Sequence, residues 1–77
     1  MPRFTPVDWR TLERVFLAAG FRFARHEGSH RSYVREGVPR PIVIPTYAEV
    51  PVFIIRTNLR TAGLSREAYF RLLEQVS

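Results

Sequence analysis

Apolar residues near the start of the chain recur at intervals of three and four: Trp9, Leu12, Val15, Phe16 and Ala19. That spacing predicts an amphipathic helix with one core-facing stripe. Thr5 is expected at its N-cap, with Pro6 at the first helical position, Asp8 supporting the cap from inside and Gly20 ending the helix. The period then drops to two. Phe21-Arg22-Phe23-Ala24-Arg25 reads as a strand with its arginines near solvent, and His26-Glu27-Gly28-Ser29 as a turn. His30 to Arg35 forms a second strand, Glu36 to Pro41 is turn material, and Ile42-Val43-Ile44 is a short third strand. Pro45 and Pro51 bracket a loop from Thr46 to Val50. Val52, Ile55, Leu59 and Ala62 share the face of another helix, which Gly63 terminates. Ser65 caps a last short helix whose apolar positions are Ala68, Tyr69, Leu72, Leu73 and Val76, with Leu64 and Tyr69 spaced as a hydrophobic staple.

The order is therefore α-β-β-β-α with an extra C-terminal helix, an α+β fold in one domain spanning residues 1–77. Three short strands joined by tight turns make an antiparallel meander. Helices on one side of such a sheet leave its other face open. Along the second strand, alternation sends His30, Ser32 and Val34 one way and Arg31, Tyr33 and Arg35 the other. Tyr33 is expected toward the helices and His30 toward the open face, with Arg31 and Arg35 escaping at the sheet edges.

Charge adds a direction to this frame. The chain carries 12 basic and 7 acidic residues for a net charge of +5, and every basic residue is arginine. The guanidinium fork grips phosphate bidentately and stacks on bases, which suits nucleic acid, although a GC-rich genome would favour arginine as well. Residues 20–45 hold five arginines against two acids, so the excess sits in the meander. Without cysteine there are no disulfides or thiolate metal sites. No apolar run approaches the roughly 20 residues that span a bilayer, and the chain opens with no signal-peptide stretch, so the cytoplasm is the expected compartment.

Within the meander, Gly28-Ser29-His30 is the arrangement best suited to chemistry. Histidine titrates near neutrality, as general acid-base catalysis requires, and glycine lets the backbone approach a ligand closely while the serine hydroxyl can donate to phosphate. RNA cleavage needs a proton removed from the 2′-hydroxyl and another given to the 5′-oxygen, with cations offsetting charge on the phosphate. His30 with Arg22, Arg25 and Arg31 around it could serve, and Tyr33 could offer a stacking surface. Set against this, an isolated histidine in a small domain is more often structural or simply exposed, and Gly-Ser is an ordinary hairpin turn. His26 is a weaker candidate for a second proton-transfer group, since nothing fixes its direction. Two histidines four apart, with no acidic cluster, do not make a metal site, and no phosphate-cradling glycine motif is present.

The chain resembles the HicA toxins, also called YcfA-like proteins. The features that carry the likeness run through most of its length: the first helix ending Ala19-Gly20-Phe21, the Gly28-Ser29-His30 motif followed by Tyr33, Ile42 to Pro45 as third strand, and the helix ending Ala62-Gly63-Leu64-Ser65. The resemblance implies a double-stranded-RNA-binding-domain-like fold and metal-independent mRNA cleavage, with no cofactor, by the motif histidine, His30, on the turn Gly28-Ser29. It further implies neutralisation by a HicB-like antitoxin, the toxin being a monomer when free and part of a hetero-oligomer when bound. Where many relatives carry a second histidine directly after the first, this chain has Arg31.

Two other readings compete. One is a non-catalytic RNA-binding module of the same fold, against which the apolar start of the second helix, Pro51-Val52-Phe53-Ile54-Ile55, replaces the basic cluster that such binders use. The other is a DNA-reading helix-turn-helix in the last two helices, which the acids Glu67 and Glu74 disfavour. Phe53 and Ile54 instead suggest an exposed docking surface for a protein partner.

Overall fold

The computed structural model describes residues 2–77, in the order α1 (Trp9–Ala18), β1 (Arg22–Glu27), β2 (His30–Val34), β3 (Ile42–Pro45), α2 (Val52–Ala62) and α3 (Arg66–Val76). The three strands form one antiparallel sheet in the order β1-β2-β3, so the meander and the α+β class are as expected. The core lies on one side of the sheet. Tyr33, Ile42 and Ile44 project from it against Leu12, Val15 and Phe16 of α1 and Ile55 and Leu59 of α2, all buried. Each such side chain contributes roughly 1.5–3 kcal/mol by leaving water. α3 packs along α1, and there only Tyr69 is fully buried; Phe4 stacks on Tyr69 at 5.5 Å and touches Phe70 at 5.1 Å.

Three local expectations are corrected. Thr5 does not cap α1. The backbone is still extended at Val7, which forms a bridge with Val50 (Val50 N to Val7 O, 2.7 Å), so the helix starts at Trp9, three residues later than expected. Asp8 is the true cap, its carboxylate accepting from Arg10 N at 2.8 Å. Secondly, His26 and Glu27 belong to β1, and the turn shrinks to Gly28-Ser29. Thirdly, Arg31 cannot escape at an edge, because β2 is the central strand.

A bulge in β1 changes the aim of two arginines. Phe23 faces Tyr33 and Arg25 faces Ser32, so one extra residue, Ala24, is inserted on the β1 side. Strict alternation would send Arg22 and Arg25 to opposite faces of the sheet. The bulge resets the parity, and both arginines share the face of Ser32 and Val34.

Candidate active site

The Gly28-Ser29 turn is a two-residue hairpin connection in which Gly28 has φ +58° and no non-glycine residue has positive φ. Positive φ at the first central position alone is the type II′ pattern, which matches the twist of the flanking strands. Behind the turn, the Ser29 carbonyl accepts two hydrogen bonds from Thr46, from its N–H at 2.8 Å and its hydroxyl at 3.1 Å. His30 opens β2 with Glu27 paired on one side and Pro45 on the other. Its backbone is thus held from three directions while its side chain stays exposed, and it finds no hydrogen-bond or ion-pair partner among the described residues.

Strand parity puts Arg25 and Glu27 on the same face as His30, joined by an exposed ion pair of 3.4 Å, with Arg22 further along. Beside His30 on the other flank lies a cleft of about 350 Å³ between β3 and α2. Val43, Pro45, Tyr47, Phe53 and Ile54 supply its apolar walls, and Thr57, Asn58 and Thr61 its polar side. Phe53 is 69% exposed, as the apolar start of α2 suggested, whereas Ile54 is partly buried. Asn58 is only 5% exposed, and its side-chain Nδ2 has no partner among the described residues.

Arg31 and His26 are not brought to this site. They pair across β1 and β2 on the opposite face, where the Arg31 guanidinium lies 3.3 Å from His26 Nδ1. There Arg31 donates to the Tyr33 hydroxyl at 3.0 Å and to Glu13 of α1 at 3.1 Å, and it stacks over Phe23 at 4.2 Å and Trp9 at 5.2 Å. The Tyr33 hydroxyl donates to the same Glu13 carboxylate. Burial, reinforced by that carboxylate, pushes the Tyr33 phenol up to about 12, and the Tyr33 hydrogen bond holds the Arg31 guanidinium above its usual range. This cluster knits α1 to the sheet. With the two histidines on opposite faces, they cannot act on one ligand together.

Sequence reasoning missed Thr46, Asn58 and Glu13. Thr46 and Glu13 act across 17 to 20 residues of chain, which no local pattern reports. Asn58 did carry a signal: it follows Ile55 by three and precedes Leu59, a polar residue on an apolar stripe.

Comparison with protein families matches residues 9–64, from α1 to just past α2, to the HicA toxin of bacterial toxin-antitoxin systems. The chain belongs to the HicA toxin family. None of the curated proteins compared matches it. The stretch shared with the HicA family contains His30, its turn, both arginines of its face and the whole cleft, while α3 lies outside it. Membership makes the protein a toxin component acting within a toxin-antitoxin partnership. Among the described residues no helix is long and apolar enough to cross a membrane.

Proposed function

We propose that the protein is an mRNA endoribonuclease of the cytoplasm in which His30 is the catalytic residue and Arg22 and Arg25 bind the phosphate backbone. One observation carries this reading: His30 is exposed and without a partner among the described residues, on a paired two-residue hairpin and on the arginine-bearing face of a HicA-family chain. Neutral imidazole takes the proton of a ribose 2′-hydroxyl as its oxygen attacks the adjacent phosphorus. The bond to the 5′-oxygen breaks, that oxygen takes a proton from water, the hydroxide so formed recovers the proton held by the imidazolium, and a 2′,3′-cyclic phosphate and a 5′-hydroxyl result. The arginines offset the charge that grows on the phosphoryl oxygens. No step calls on a metal. Gly28 and Ser29 hold the histidine at the apex, where phosphate can approach the backbone closely. A HicB-like antitoxin silences the enzyme by covering this face.

Induction of the parent protein and of His30→Ala in bacteria tests the assignment. The parent stops growth and degrades mRNA, leaving cyclic phosphate ends, and His30→Ala does neither while melting at the parental temperature. Equal toxicity of the two would refute the role of His30.

A further inference from the structure

The cleft between β3 and α2 has a chemistry of its own. Its walls are apolar and partly aromatic, and the exposed rings of Tyr47 and Phe53 offer flat surfaces. No arginine or carboxylate lines it. At its buried side Asn58 brings a donor, Nδ2, that has no partner among the described residues. An unpaired buried donor is costly and calls for an acceptor. His30 lines the cleft as well, so whatever meets His30 is already at its mouth.

The geometry points to a nucleobase-binding subsite: one base of the RNA strand whose phosphate meets His30 enters this cleft, stacks on Phe53 or Tyr47, and accepts a hydrogen bond from Asn58 Nδ2 as that amide turns out of its buried position. This deepens the proposed function and rests on it. The occupant follows from the lining. A phosphate would want cations, and none is present in the cleft. An apolar side chain from a protein partner would fill the walls yet leave the Asn58 donor, already buried, without an acceptor. A base satisfies both, because each of the four has a π-face and carries ring-nitrogen or carbonyl acceptors. Its span needs no bridging chain, since the same residue, His30, belongs to the catalytic position and to the cleft.

The test measures binding of the intact chain to short single strands bearing 2′-fluoro in place of the 2′-hydroxyl, so that nothing is cut. In a series of nine-nucleotide strands each position in turn lacks its base. At one position, loss of the base is expected to weaken binding roughly fivefold to a hundredfold, the range of a single stacked base. In Phe53→Ala and Asn58→Ala that difference shrinks, while arginine-dependent binding to the rest of the strand persists. Phe53 is largely exposed, and Asn58→Ala orphans no partner, so both variants should melt close to the parent. The subsite is refuted, with the ribonuclease reading intact, if the strands bind but every abasic position is equivalent, or if the base preference survives in both variants. It is equally refuted if Phe53→Ala leaves RNA binding unchanged and abolishes only binding of the antitoxin. Failure of every strand to bind would overturn the ribonuclease reading along with it.

Discussion

The two faces of β2 put the same kinds of side chain to opposite uses. On the face toward α1, Arg31, Tyr33, His26 and Glu13 are joined to one another, and the guanidinium is also stacked between aromatic rings. On the other face, among the described residues, His30 has no partner, Arg22 and Arg25 are exposed, and the one ion pair, Arg25 to Glu27, is open to water on both sides. An arginine whose donors are occupied stabilises the fold. One whose donors are free can serve a ligand. On the proposed function, neighbouring residues separated by a single pleat divide into structure and function by partnering, and residue type alone does not distinguish them.

The sharpest way to break the comparison is to remove one group from each face. His30→Ala should lower RNA cleavage by about 10²–10⁴, the usual contribution of a positioned general base, with an unchanged denaturation midpoint. Tyr33→Phe should do the reverse: cleavage per folded molecule is retained, and the midpoint falls because the phenol no longer links Glu13 to Arg31. If His30→Ala proved strongly destabilising, the open face would be structural after all.

Tyr33 also predicts an alkaline weakness. Its folded-state value is raised to about 12 against an ordinary 10. Below pH 10 the phenol is neutral in both states and the fold keeps its full benefit. Between pH 10 and 12 the unfolded chain ionises first, so stability drains by about 2–3 kcal/mol. Denaturant midpoints followed across that window should show the loss in the parent and a smaller one in Tyr33→Phe. Some remains because burial raises Tyr69 as well. A parent whose stability is flat from pH 9 to 12 would contradict the burial of the Tyr33 phenol and, with it, its contact with Glu13.

Much of the fold was legible because its signals are local. The helical stripes, the terminating glycines at 20 and 63, the Ser65 cap and the side of the sheet taken by Tyr33 all follow from spacing. What escaped depends on pairing between distant segments. The start of α1 is set by the Val7 to Val50 bridge, the aim of Arg25 by a bulge that appears only once β1 meets β2, and the fate of Arg31 by Glu13 on another element. His30 itself could be singled out, but the cleft beside it could not, since β3 and α2 come together only in the folded chain.

Gly28 tests how far the hairpin holds the open face together. A Cβ there meets nothing within 4 Å, so Gly28→Ala suffers from φ +58° alone. The expected destabilisation is about 1–2 kcal/mol, with a further loss of cleavage if the turn relaxes and His30 shifts. Spectroscopic comparison of the His30 ring signals in parent and variant separates the two effects. A variant with parental stability and cleavage would show that the turn tolerates another geometry.

The smallest effect falls on the arginines. Replacing Arg22 and Arg25 together by glutamine should leave the melting temperature where it is, because the Arg25 to Glu27 pair is exposed at both ends and such pairs contribute little. RNA affinity should nonetheless fall and become less sensitive to salt. Each phosphate contact on a single strand adds about 0.7 to the slope of log affinity against log salt, so the double variant should flatten that slope by about 1.4. Arg31→Gln is the matched control from the other face. Its guanidinium is engaged with Glu13 and Tyr33, so it should lower stability and leave the salt slope intact. If Arg31→Gln flattened the slope as much as the double variant, the RNA would have to cross both faces of the sheet, and the division between them would fail.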